Sequence, residues 1–392
     1  MQADYDLIIL GGGCAGLSVA MQLAALGPGC PRTLILESRT EYTNDRTWCF
    51  WDDGSTKLRH LIRHRWQTMT VQSASRSVTV DCGLSPYQMI PADAFYGEAL
   101  HAISTSARID LVMRACLLSE PYKLRENWQI ETSEGIRSGT TVIDTRPLCE
   151  PKRGGALLWQ SFYGHEIECD EPVFDPTRMD LMDFTDDDAT RILFNYVLPV
   201  SPNRALVETT VFGPDPIDPE HLAHHLQIAI ARLVHGATFT IVRSETGILP
   251  MGGAAAKIGP DATYVKAGLT AGGARPTTGY AFQRIQRWAE ACARGMGEGK
   301  LPIGHAVDPP LLRAMDHLFL SVLRARPEAA SSLFVSLFEQ TNPASMIRFL
   351  SDRGTLLDYA SIISALPIVP FLEEIPRALL TGIPQRKGSM SQ

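Results

Sequence analysis

Gly11, Gly12, Gly13, Cys14, Ala15 and Gly16 follow the apolar run Leu7-Ile8-Ile9-Leu10 and precede the helical pattern Leu17-Ser18-Val19-Ala20-Met21-Gln22-Leu23. A second apolar run, Leu34-Ile35-Leu36, ends in Glu37, roughly 20 residues beyond the last glycine, where a dinucleotide-binding fingerprint expects an acid. Glycines at this turn let the backbone approach a pyrophosphate, which then rests on the positive end of the helix. Glu37 would accept hydrogen bonds from the adenosine ribose. Cys14 reads as a small packing residue within the loop.

Two carboxylates stand in apolar strand patterns. Glu208 lies in Leu206-Val207-Glu208-Thr209-Thr210, where a period of 2 puts Leu206, Glu208 and Thr210 on one face. A carboxylate among such neighbours is costly unless protonated or paired. Both a neutral acid and an ion pair with Arg204 stay open. Asp183, in Leu181-Met182-Asp183-Phe184, is similar: orienting Glu208, relaying a proton and bonding to a turn are its alternatives.

The elements that would carry these residues alternate along the chain. A βαβ unit fills about residues 4–38, followed by the aromatic loop Asn44-Asp45-Arg46-Thr47-Trp48-Cys49-Phe50-Trp51. Its aromatic side chains suit either a channel wall or ordinary core packing. Short alternating strands near 66–81 belong to a second sheet. A helix is expected over 93–104, with Asp93 a candidate cap, and another buried strand over 141–144. Strands at 158–162, 181–184, 192–198, 205–212 and 238–242 suggest an antiparallel sheet with one face buried, and 221–233 reads as an amphipathic helix. Past Tyr264-Val265-Lys266 a glycine-rich turn containing Gly272, Gly273, Thr278 and Gly279 leads to a helix over 280–295. Pro276 stops any strand, and the threonines can cap that helix.

The fold class is therefore α/β: a Rossmann-type dinucleotide-binding domain (1–65, 85–155 and 250–300), an inserted antiparallel β-sheet substrate domain (66–84 and 156–249), and a helical, apolar C-terminal tail (301–392). Within the tail, 359–372 is apolar but broken by Pro367 and Pro370. It reads either as a helical cap over the core or as a segment dipping into a bilayer surface. With 392 residues, a net charge of −7 and 45% hydrophobic residues, the chain is globular and a nucleic-acid partner is not expected. The eight cysteines include no CxxC pair, so neither a metal site nor a disulfide framework is expected. No secretory leader is expected before the first strand.

Several segments together resemble the FAD-dependent lycopene cyclases of carotenoid biosynthesis, the bacterial and plant β-cyclase group. They are the 44–51 loop, Val142-Ile143-Asp144-Thr145-Arg146, Trp159-Gln160-Ser161-Phe162-Tyr163-Gly164, Leu181-Met182-Asp183-Phe184, Phe194-Asn195-Tyr196-Val197-Leu198-Pro199, Leu206-Val207-Glu208-Thr209-Thr210, 272–282 and Met346-Ile347-Arg348-Phe349-Leu350. Relatives of that family include flavoprotein hydroxylases and geranylgeranyl reductases. The hydroxylases carry Gly-Asp-Ala late in the chain, whereas this sequence has Gly268-Leu269-Thr270-Ala271-Gly272-Gly273, without the acid.

The resemblance implies FAD, active in its reduced form, with NADPH as reductant, and an acid-catalysed ring closure of lycopene or a related acyclic polyene. Glu208 matches the family's essential glutamate. Arg46 would contact FAD or lie at the surface, and backbone N–H groups of Gly272 and Gly273, with the turn at Thr278 and Gly279, would hold flavin oxygens. The implied location is cytoplasmic and peripheral on the inner membrane face, with other carotenoid-pathway enzymes as contacts. The rival readings are a flavin-dependent monooxygenase, a prenyl-lipid reductase, or a polyene carrier of the same fold.

Overall fold

The computed structural model describes residues 3–147, 155–185, 191–253 and 261–381. Cys149 and residues 382–392 of the expected tail lie outside the described residues. The opening strand, Tyr5–Leu10, is apolar without alternation because it is covered on both faces. It pairs in parallel with Thr33–Leu36 on one side and Gly135–Asp144 on the other. The helices Cys14–Ala24 and Phe282–Gly297 pack together in the core of this domain. Tyr264–Lys266 pairs in parallel with Gly135–Asp144, so the chain leaves this seven-stranded sheet and later returns to it.

A second seven-stranded sheet is ordered Phe239–Met251, Leu158–Cys169, Arg204–Gly213, Ile192–Pro199, Arg178–Phe184, Thr68–Ser73, Ser77–Asp81. Its strands between 158 and 251 pair antiparallel, as expected, while Arg178–Phe184 and Thr68–Ser73 run parallel. The two are separated in sequence by a long excursion through the first sheet, the kind of crossover a parallel pair requires. Leu158–Cys169 and Phe239–Met251 extend beyond the apolar runs expected at 158–162 and 238–242. Their additional length carries Glu166, Arg243 and Glu245, which pair with one another.

A small sheet, Thr47–Trp51 with Tyr87–Pro91 and His64–Trp66, joins the two large ones. Alternation along Thr47–Trp51 divides its side chains. Trp48 and Phe50 stack on Phe282 in the first core, whereas Cys49 and Trp51 join the core beneath the second sheet. The outer face of the second sheet is covered by Ala223–Val234. Helices Pro310–Ala325, Ala330–Gln340, Pro343–Leu350, Leu356–Ser364 and Ile368–Thr381 pack over its inner face.

Several helix boundaries follow from chain chemistry. Ala92–Ser104 starts behind Pro91, and Asp93 sits in its first turn rather than at the cap, where an acid meets the positive helix end. The helix expected from 280 begins at Phe282, with no side-chain cap, so Thr277 and Thr278 do not cap it. Pro367 lies in the break between Leu356–Ser364 and Ile368–Thr381. Pro370 lies in the first turn of the latter, where proline has no intrahelical N–H to lose. The two segments meet at 104°, and among the described residues no single helix is long and apolar enough to cross a membrane.

Candidate active site

Glu208 sits in the middle of the second sheet, and its neighbours are set by register. One rung reads Tyr196, Glu208, Gly164, Glu245 across four adjacent strands. The glycine between the two glutamates leaves room for them: a Cβ there would lie 3.2 Å from the Cβ of Glu208, a crowded contact. With no side chain at 164, the two carboxyls meet over the strand. Glu208 donates a hydrogen bond to Glu245, and Oε1 of Glu208 accepts one from the Thr210 hydroxyl at 2.9 Å.

The other donors fall on Glu245. Its Oε2 accepts from Arg243 Nη1 at 2.6 Å and from the Thr47 hydroxyl at 2.7 Å. Arg243 in turn pairs with Glu166, which also pairs with Arg204. Arg204 therefore does not neutralise Glu208, and the ion-pair alternative for Glu208 is not what the structure holds. Glu208 is 9% exposed. Burial first, then the charge of Glu245, push its carboxyl up to about 8, while the Thr210 hydrogen bond and Arg46 pull it down. The shared proton thus rests on Glu208. Cys49 and Tyr196, driven up mainly by burial, stay neutral beside it.

Asp183 does not join this group. It pairs across the strand with Asn195, whose neighbour is Thr209, so it lies on the opposite face of the sheet. There it is 1% exposed, accepts from the Thr185 N–H at 2.9 Å and pairs with Arg232 of Ala223–Val234. Of the three roles open to Asp183, only bonding to a turn is realised, with Arg232 added. Arg46 is exposed, and its guanidinium donates to the Thr246 carbonyl at 2.6 Å, one residue beyond Glu245.

The glycine loop has the shape of an anion cradle. Gly11 has φ +94°, and a Cβ on Gly16 would come within 2.0 Å of the Gly11 carbonyl. Gly13 precedes Cys14–Ala24 with no side-chain cap, and a Cβ on it would meet only Arg39, at 4.0 Å. That open position at a positive helix end suits a phosphate. Ala15 packs toward the second glycine turn, 3.4 Å from a Cβ built on Gly268. Glu37 is buried, accepting from the Gly12 N–H at 2.7 Å and the Arg39 N–H at 2.8 Å. Burial alone would raise its carboxyl, but these bonds and the Arg39 charge bring it below the usual range.

The second turn differs from expectation in detail. The Gly273 N–H donates to the Gly268 carbonyl at 2.9 Å, and the Gly279 N–H to the Arg275 carbonyl at 2.9 Å. Those two N–H groups close their own turns and are not offered to a ligand. Gly272 takes φ +91° and Gly279 φ +70°. Gly279 lies against the inserted sheet, where a Cβ would be 2.8 Å from Gln160 Oε1, a buried oxygen with no partner among the described residues. Gln160 shares the Glu208 face, four residues from Gly164 along its strand, about 13 Å away. His305, which sequence reasoning missed, accepts from the Gly268 N–H at 3.0 Å; burial holds its ring neutral, down to about 4.

An apolar cavity of about 450 Å³ lies between the second sheet and the tail helices. Trp51, Tyr196, Thr278 and Tyr280 line it inside, and Leu311, Ile363, Ile368 and Leu372 line it among the tail helices. Tyr196 is the rung neighbour of Glu208, so the acid stands one strand beyond the cavity wall. Tyr87 donates to Tyr280 at 3.2 Å at the same end. The arrangement offers an apolar, aromatic-walled space to a long apolar molecule, with the Glu208 carboxyl one strand behind Tyr196.

The chain is similar in sequence and in fold to several known proteins. The chain is 28% identical to the lycopene beta-cyclase of Pseudescherichia vulneris over 97% of this chain and 99% of that protein. It is 26% identical to that of Pantoea ananas over 97% and 100%. Among solved structures it resembles the flavin-dependent brominase Bmp2, with TM-score 0.62 and 12% identity over 95% of this chain and 99% of that one. It also resembles a geranylgeranyl bacteriochlorophyll reductase-like protein of Thermoplasma acidophilum, with TM-score 0.57 and 14% identity over 96% and 98%. At such identities the structural likenesses establish a flavoprotein-type fold. The lycopene cyclase protein profile matches residues 6–375, and the chain belongs to the lycopene cyclase family.

Proposed function

We propose that this enzyme closes the ψ end groups of lycopene to β-ionone rings by a proton-transfer reaction with no net redox change. The carrying observation is a buried Glu208, its carboxyl held well above the usual range by burial and Glu245, one strand behind the wall of an apolar cavity, in a chain similar to lycopene beta-cyclases over nearly its whole length. An alkene is a very weak base, so its protonation needs a neutral, desolvated acid. Glu208 would give its proton to the terminal double bond. The next double bond attacks the resulting tertiary cation, the ring bond forms, and a ring proton is lost.

Reduced FAD, with NADPH as reductant, would supply negative charge near the cation when bound. The Gly11–Gly12–Gly13 cradle, Glu37 and Arg46 would hold it, with Gly279 and Gln160 at the far end. Tyr196, Tyr280 and Trp51 bound the polyene and keep water out. The polyene would enter between tail helices whose exposed Ile363, Ile368 and Leu372 suit a lipid surface. These exposed side chains support a peripheral position at a membrane surface; the cytoplasmic face and nearness to other enzymes of carotenoid synthesis belong to the same proposal.

The test is an anaerobic assay of the purified protein with reduced FAD and lycopene. Ring formation without consumption of NADPH in proportion to product supports the reading. A product that gains oxygen or hydrogen replaces it with the monooxygenase or reductase alternative.

A further inference from the structure

Nothing in the sequence drew attention to Glu245, yet the fold builds a site around it. Its strand, Phe239–Met251, is the edge of the second sheet, and Glu245 meets Glu208 only because Gly164 separates them. It is 6% exposed. Arg243, Thr47 and, through Arg243, Glu166 fix its carboxyl. Thr47 also accepts from Arg243 Nη2 at 2.6 Å, which closes a ring of hydrogen bonds around Glu245.

We propose that Glu245 is the positioning residue of the reaction: acting through its hydrogen bond, it keeps the Glu208 carboxyl oriented and loaded for proton donation. This rests on the cyclase reading above. A single carboxyl buried in apolar surroundings is protonated but leaves one negative charge after donating. Two carboxyls with one proton between them do more. Like charges at hydrogen-bond distance cannot both ionise at low cost, so Glu208 is loaded in the resting enzyme. Once its proton moves to the alkene carbon, both carboxylates bear charge beside the cation, and their mutual repulsion is relieved by its presence. The C–C ring bond then forms from the neighbouring double bond. The ring proton lost from carbon returns to Glu208, which restores the starting state. One proton enters and one leaves, so the step balances without an oxidant or reductant.

The groups facing the pair are Arg46, Thr47 and Cys49 from the 44–51 segment, Tyr196 from Ile192–Pro199, Thr210 from Glu208's own strand, and Arg243 from Glu245's strand. Among these, Arg46 is the exposed cation and Arg243 is already paired.

The test is the pH profile of cyclisation with reduced FAD for wild type, Glu245→Gln and Glu245→Asp. Wild type should lose activity as pH rises through the Glu208 titration. Glu245→Gln removes the like charge while keeping shape and hydrogen bonding, so that alkaline limb should move down by at least about one pH unit, with a rate loss of tenfold or more at neutral pH. Glu245→Asp should keep the wild-type limb with a smaller loss. An unmoved limb in Glu245→Gln, with a uniformly lower rate, means a structural role only and overturns the proposal. Infrared titration of unmodified protein covers the case of a misfolded variant: a protonated buried carboxyl should persist at neutral pH, and its absence overturns the proposal. If wild type forms no rings, the cyclase reading fails instead, while the infrared titration still reports on the shared proton.

Discussion

Glu208 and Glu245 share a hydrogen bond across a strand that places Gly164 between them. Two acids from separate strands thus form one group, and the other residues divide into those that load it, those that wall its cavity and those that hold a nucleotide. Glu208→Gln should lower ring formation at least about a hundredfold, within the range of a lost general acid, while bound flavin persists. Pigment analysis in lycopene-accumulating bacteria and the flavin absorbance of the purified variant check both halves.

The same change should make the protein more stable in mild alkali. Glu208 titrates higher in the folded protein than in the unfolded chain. Between the usual glutamate range and about pH 8 the unfolded chain therefore gives up a proton that the folded one keeps, and wild-type stability falls as pH rises. Removing the group removes that slope, which is at most about 1.4 kcal/mol per pH unit. Thermal melts at pH 5.5 and 8 should show Glu208→Gln gaining on wild type between the two, by an amount that grows with pH. A constant offset would contradict a raised carboxyl.

Gly164→Ala tests the rung itself. The new Cβ would sit 3.2 Å from Glu208 Cβ and 3.3 Å from its Cγ, so one carboxyl must shift. A loss of roughly tenfold in rate is expected, together with a stability cost of about 1–3 kcal/mol from overpacking. Wild-type turnover in this variant would mean that the pairing does not matter to the reaction.

Gly13→Val separates the cofactor cradle from the fold. A Cβ there would meet only the Arg39 guanidinium, at 4.0 Å, so the chain should fold, with the valine filling the place of a phosphate. Flavin content after purification should drop to near zero without a large change in melting temperature. Full flavin retention would contradict the assignment of the loop.

Asp183→Asn should act on stability alone. Breaking a buried pair with Arg232 costs on the order of 3 kcal/mol, while turnover per folded molecule should stay within about threefold. A loss comparable to that of Glu208→Gln would return Asp183 to the proton path despite its place on the other face.

The nucleotide loop was legible in the sequence because its parts are local: Gly11, Gly16 and Glu37 lie in one βαβ unit whose spacing encodes their contacts. Glu208 stood out for a similar reason, as a charge in an apolar strand. Glu245 did not, since its strand looked polar past Val242 and its meaning comes from register through Gly164. Asp183 misled for the opposite reason. A period of 2 gives a face only relative to near neighbours, and the register shift between Asp180 and Asp183 changes the phase. Trp48 and Trp51 share one loop in sequence yet serve different cores, a division that only strand alternation in three dimensions settles.

The most direct measurement is the mass of the carotenoid formed from lycopene by the reduced, FAD-loaded enzyme in D₂O under anaerobic conditions. Proton donation by Glu208, which exchanges with solvent, followed by loss of a ring proton, predicts a product isomeric with lycopene that carries one deuterium for each ring closed. In the first turnover of enzyme equilibrated with D₂O, a product with added oxygen or two added hydrogens, or rings that hold no solvent deuterium, would contradict acid catalysis by Glu208.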